Sequence, residues 1–146
     1  MDLPYAHTSS GAKARAEIID IRRHFGATQV GFMDEFDTHT VILAFRLHDR
    51  PVQLRATAQG WANTYLKQHP WNSRKQISEA EWKDRAFRQG LIAVNSILRD
   101  WVKGQVTAIE TGILTFEHVF MPYIMLPDGR SLGDHAQKLL SAPEGN

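Results

Sequence analysis

Apolar residues recur along this chain with two periods, and the places where the period switches divide it into elements. Ala16, Ile18, Ile19, Ile21 and Phe25 supply one side of a helix from about Ala12 to Phe25, stopped by Gly26. Arg22 and Arg23 fall in its last turn, where a helix's negative end favours cations. Val30 and Phe32 begin a short strand, with Asp34-Glu35-Phe36-Asp37 as a polar connection. From Thr40 to His48 the alternation is strict: Val41, Leu43, Phe45 and Leu47 point one way, and Ile42, Ala44, Arg46 and His48 the other. Asp49-Arg50-Pro51 is expected to turn the chain, after which Val52, Leu54 and Ala56 alternate with Gln53, Arg55 and Thr57. The pattern predicts a three-stranded antiparallel meander with an apolar face to be covered and a face bearing Arg46, His48, Gln53 and Arg55.

Beyond the meander the helical period returns. Ala58 to Gln68, with Trp61, Tyr65 and Leu66, reads as a helix ended by His69-Pro70, and Trp71 to Gln76 as a basic, aromatic-bearing loop. Ser78 and Glu81 form a capping-box pattern that opens a helical stretch reaching to Gly104 or Gly112. Its apolar stripe is Phe87, Leu91, Val94, Leu98 and Trp101, placed to lie across the sheet. Pro127-Asp128-Gly129 marks a turn, and Leu132, Ala136, Leu139 and Leu140 give a short closing helix. The expectation is one α+β domain over 1–146, with an arm at 1–11 and a helix-and-loop insertion at 58–77.

Composition adds limits. At 146 residues with 42% hydrophobic and 23% charged positions, one folded domain fits and wholesale disorder does not. The lack of cysteine excludes a disulfide framework, a thiol nucleophile and a thiolate metal site. Neither a membrane-length apolar run nor a secretory leader core is visible, which gives a cytoplasmic expectation.

Net charge is +1, but its distribution is uneven: residues 1–44 carry −2, residues 45–105 carry +6 and residues 106–146 carry −3. On the long helix Arg85, Arg88, Arg99 and Lys103 fall within roughly 60° of one another at 100° per residue, with Asn95 and Ser96 continuing the line between them. Glu81 and Asp84 offset only the N-terminal end of that stripe. Arg46, His48 and Arg55 form a second basic set on the sheet, and Arg74 and Lys75 a third beside Trp71. A solvated helix face is the plain explanation of such a stripe. Cations interleaved with aromatics are also what a single strand requires, since phosphates need charge and bases need a stacking surface. Trp71, among Pro, Asn, Ser and Arg, is expected to be exposed, whereas Trp61, Trp82 and Trp101 are expected to fill core or grooves.

Catalytic motifs are missing: there is no phosphate-cradling glycine loop, no nucleophile elbow and no paired-histidine zinc motif. Asp34, Glu35 and Asp37 lack the glycine and distal glutamate of a calcium loop, and Glu110 reads as a structural carboxylate. No cofactor, no metal and no enzymatic activity are expected.

Tyr5-Ala6 with Thr8-Ser9, Ala16-Glu17-Ile18 and Phe25-Gly26-Ala27 resemble the opening of a widespread family of uncharacterised phage and prophage proteins. Ile109-Glu110-Thr111-Gly112-Ile113, Thr115-Phe116-Glu117 and Leu126-Pro127-Asp128-Gly129-Arg130 resemble its closing signature, and Ala44-Phe45-Arg46 with Arg50 fits its Arg-bearing strands. The chain departs from that pattern between about Ala58 and Ser78. The order of meander and long helix is also similar to the core of single-strand annealing proteins, an analogy of topology and charge. The resemblance implies a bacterial host cell. The resulting expectation is a single-stranded DNA-binding or annealing recombination accessory, self-associating, that holds nucleic acid with Arg46, Arg55, Trp71, Arg74, Lys75, Arg85, Arg88, Arg99 and Lys103. The alternative is a module that binds and modulates a host protein, using Trp71, Trp61 or Tyr65 as anchors.

Overall fold

The computed structural model describes residues 3–8 and 11–141. Helix α1 (Gly11–Phe25) leads into strands β1 (Gln29–Glu35), β2 (Thr40–Leu47) and β3 (Arg50–Thr57), then α2 (Gln59–Gln68) and the long α3 (Glu79–Glu110). A short α4 (Phe116–Phe120), one 3₁₀ turn (Met121–Tyr123) and α5 (Leu132–Ser141) complete the described chain. The arrangement is α+β, with an antiparallel sheet in the order β1-β2-β3.

Strand β2 is central, and its inward residues Val41, Leu43, Phe45 and Leu47 lie under the core. Register brings Phe32 and Leu54 beside Leu43, and Val30 and Val52 beside Phe45. Val94, Leu98, Val102 and Val106, one helical turn apart on α3, complete the layer with Ile18 of α1 and Phe120 of α4. Phe120 is fully buried and meets Phe45 and Trp101 edge-on at 5.4 and 5.8 Å. Of the expected stripe, Val94 and Leu98 are buried, while Phe87, Leu91 and Trp101 are half-buried.

At 1.5 Å per residue the 32 residues of α3 span roughly 48 Å, longer than the eight-residue strands beneath it. Its N-terminal half therefore passes beyond the sheet and packs on α2. Ser78 caps it, the hydroxyl accepting from the Glu81 N–H at 3.1 Å. Gly90 lets the helices touch: a Cβ there would stand 3.2 Å from both the Ala58 Cβ and the Ala58 carbonyl oxygen.

Two boundaries differ from the sequence expectation. Asp34 and Glu35 belong to β1 rather than to a connection. The β2–β3 turn is His48-Asp49, both at positive φ (51° and 59°), so Arg50 and Pro51 already lie in β3. Paired left-handed residues match the right-handed twist of a tight hairpin. His48 thus sits in the turn, stacked on Phe116 at 5.8 Å, and not in a row with Arg46 and Arg55. Pro51 is tolerated because β3 is an edge strand and Pro51 directs its backbone groups away from β2, where its carbonyl accepts from the Met125 N–H.

Replacing Gly90 with Leu would force α2 away from α3 and should cost about 1–3 kcal/mol, as over-packed contacts do. Urea denaturation would measure this, and an unchanged midpoint would refute the close-contact account.

Candidate nucleic-acid interface

The expected binding residues fall into separate places. On the outer sheet face, Arg55 Nη2 donates to both oxygens of Glu35, at 2.9 and 2.8 Å, and this bond holds the Glu35 carboxyl below its ordinary range. Arg46 donates to the Asp49 carbonyl at 2.9 Å, across the hairpin turn. The face is also less bare than alternation implies. Ile42 points outward yet is 4% exposed, between its cross-strand neighbours Met33 and Arg55.

The stripe on α3 is not one accessible line. Asn95 and Ser96, in its middle, are buried. Arg15 of α1 donates to the Asn95 side-chain oxygen at 2.7 Å, and Gly11 packs against the same side chain. Arg99 does have acidic partners: Asp100 Oδ1 at 2.9 Å and Glu17 of α1 at 3.5 Å. Helix α1 therefore divides the stripe, leaving Arg85 and Arg88 at one end and Arg99 and Lys103 at the other.

The N-terminal arm fastens this region further. The Pro4 carbonyl accepts from Trp61 Nε1 at 3.0 Å, and Gln89 Nε2 donates to the Tyr5 and Thr8 carbonyls at 3.2 and 2.8 Å. The Tyr5 hydroxyl donates to Asp100 at 2.6 Å. That bond raises the Tyr5 pKa, whereas bonds from Arg99 and then Tyr5 lower that of Asp100.

Trp71 is half-buried and not the exposed platform that its polar neighbours suggest. Its indole N–H folds back to the Ile77 carbonyl at 2.8 Å. Arg74 is exposed, its backbone N–H bound to the Asn72 side chain in a local turn.

An aromatic group at the overhanging end of α3 replaces it. Trp61, Tyr65 and His69, four residues apart, stack in sequence with centroids 5.5 and 4.5 Å apart. Trp82 lies beside Tyr65, donates its N–H to the His69 carbonyl at 2.8 Å and carries the Lys75 ammonium 3.9 Å over its ring. A cleft of about 360 Å³ opens here between Ala6, Tyr65, Trp82, Arg85, Arg88 and Ile92. Arg88 pairs with Asp84 at 2.8 Å and Arg85 with Glu81 at 3.9 Å, both one turn apart on exposed helix surface, where such pairs are weak. Between Trp61 and Gln89 the chain holds six Lys or Arg against three acids. The i, i+4 spacing of Trp61, Tyr65 and His69 is the sequence signal for this stack, but nothing local announces that Trp82 joins it.

A larger cleft, about 560 Å³, lies on the outer side of β3, with Gln53, Arg55, Tyr123, Ser131, Asp134 and Gln137 among its lining residues. Its one cation, Arg55, is already paired with Glu35, so it does not offer an anion site. Among the described residues no three His, Asp or Glu side chains converge as a metal site requires. No helix among them is long and apolar enough to cross a membrane. Comparison with protein-family models, with curated proteins and with solved structures found no match to this chain.

The clasp at Tyr5 and Asp100 gives a pH signature. A carboxyl whose folded pKa is depressed adds stability above its unfolded pKa, about 3.9, and loses it as pH falls through the lower folded value. Asp100→Asn should therefore flatten the acid limb of stability below about pH 4, while the exposed setting keeps the loss at neutral pH to about 1 kcal/mol or less. Thermal melts across that range test this, and an unaltered acid limb would count against the clasp.

Proposed function

We propose that the protein binds single-stranded nucleic acid at the elbow of α2 and α3, as a binding protein rather than an enzyme. The observation that carries this reading is the aromatic group Trp61, Tyr65, His69 and Trp82 beside Arg85, Arg88, Lys75 and Arg74. It sits around a cleft of a size that admits a base and its sugar. Arg85 and Arg88 would hold phosphates. A base reaching Trp82 would take the ring face that Lys75 now covers and release that ammonium to a neighbouring phosphate. The proposal keeps four of the nine expected residues, Arg74, Lys75, Arg85 and Arg88, and puts Trp82 in the place expected for Trp71. It gives Arg46, Arg55 and Arg99 intramolecular roles, with Lys103 beyond the contact. Strand annealing and a phage-type origin belong to the same proposal and depend on binding being present.

Anisotropy of a labelled poly-dT oligonucleotide, titrated at several salt concentrations, tests it. With three or four phosphate contacts the logarithm of the affinity should fall against the logarithm of salt with a slope of about −2 to −3. Arg85→Glu with Arg88→Glu should weaken binding about tenfold or more and flatten that slope. Arg46→Ala should leave both unchanged. Absence of binding at low salt would sink the proposal.

A host-protein partner is the second reading, favoured by apolar exposure in the acidic C-terminal third. Ile113, Leu139 and Leu140 are 73, 66 and 88% exposed. Salt-insensitive capture of a single host protein, lost on Leu139→Glu with Leu140→Glu, would support it.

A further inference from the structure

Strand β1 has a partner on one side only. Among the described residues no backbone hydrogen bond reaches Gln29–Glu35 from the side away from β2. The parity of the ladder identifies the groups left open. Ala58 N–H donates to the His39 carbonyl at 2.7 Å in the β2–β3 register, so odd-numbered positions of β2 bond to β3 and even-numbered positions to β1. Even-numbered β2 residues pair with odd-numbered residues of β1. Val30, Phe32 and Asp34 therefore direct their N–H and C=O groups outward.

We infer that this edge is the contact between two copies of the chain, joined antiparallel about a twofold axis at Phe32. In that register Val30 stands opposite Asp34 of the second copy, and Phe32 opposite Phe32. Every outward N–H and C=O of the three residues then meets a partner. Shape agrees on the solvent face of the strand. Met33 is 61% exposed, while Gly31, two residues away on the same face, has nothing within 4 Å of where a Cβ would stand. A twofold at Phe32 sets each Met33 over the Gly31 of the other copy. A projection and a vacancy at equal distances from the axis are what a self-complementary interface needs.

Charge agrees as well. A parallel pairing in the same register would set Asp34 against Asp34 and Glu35 against Glu35. The antiparallel one sends each acidic pair to the opposite end, beside Val30 and Gln29. On the inner side Arg15 already spans Phe32, 5.0 Å over its ring, and binds Asp34, so the acid is neutralised before any contact forms. Exposed Ile19 lies one turn from Arg15 on α1, with exposed Ala12 and Ala16 in line, so a second α1 would meet small and apolar side chains.

Sedimentation velocity over a concentration series reads the result. The wild-type chain should dimerise, Gly31→Lys should remain monomeric, and Gly31→Met combined with Met33→Gly should restore the dimer by exchanging projection and vacancy. A second test uses the lack of native cysteine. Gly31→Cys mixed with Met33→Cys should form an interchain disulfide on mild oxidation, because the two positions face each other in a closely spaced pair, and neither variant alone should match that yield. A wild-type monomer at every concentration would overturn the inference and show the acids acting to block the edge. So would a dimer unaffected by Gly31→Lys, or equal crosslinking in the mixture and the single variants.

Discussion

The packing of α3 over β2 is the contact on which the other features depend. A three-stranded sheet has one face to bury and few residues with which to do it. Here one helix supplies Val94, Leu98, Val102 and Val106 in a continuous row against Val41, Leu43 and Phe45, with Phe120 closing the far end. Removing the Phe120 ring would leave Phe45 and Trp101 without their shared neighbour, the kind of vacancy that costs about 3–5 kcal/mol. Because the row occupies the C-terminal half of the helix, the remaining turns have no sheet to rest on.

That overhang explains the elbow. A projecting amphipathic helix must find another apolar surface, and α2 with its cap residue Ala58 provides it: Gly90 lies against Ala58, and Ala62 and Ala86 are buried. Small residues bring the two backbones close and displace the large side chains to the margins. Trp61, Tyr65 and Trp82 collect there as a half-exposed group instead of a core. The N-terminal arm is fastened beside this group by polar bonds: its carbonyls accept from Trp61 and Gln89, and its Tyr5 hydroxyl donates to Asp100. Arg85 and Arg88 at the elbow pair with acids on their own helix, whereas Arg99 and Arg55 pair across elements. The first kind of pair gives way easily to a phosphate, and the second is part of the tertiary structure.

The meander, the Ser78 cap and the long helix were legible because they arise from local period and local chemistry. Val41 to Leu47 alternate over a whole strand, and Ser78 needs only Glu81, three residues on. The hairpin turn was misplaced by one residue, since His48-Asp49 has no glycine to advertise its left-handed backbone while Asp49-Arg50-Pro51 has a proline. The site was less legible, for a physical reason. An angular count on α3 groups Arg85, Arg88, Arg99 and Lys103, but it is blind to α1 lying across Asn95 and Ser96. It is equally blind to Glu17, 82 positions from its partner Arg99 in sequence. Polar neighbours made Trp71 look exposed, although one bond to the Ile77 carbonyl turns its ring inward.

The elbow and the open edge of β1 bear on each other. The elbow offers a few cations and one cleft, enough for only a few nucleotides, and an isolated site of that size holds a strand weakly. Two copies joined along β1 would carry two elbows on one rigid sheet, running in opposite directions from the axis at Phe32. A strand long enough to reach both would bind the second at high effective concentration, while a short one would gain nothing. Length dependence of affinity is thus where the two surfaces meet. A steep rise with oligonucleotide length in the wild type, absent in Gly31→Lys, would tie them together, and equal length dependence in both would leave the elbow acting alone.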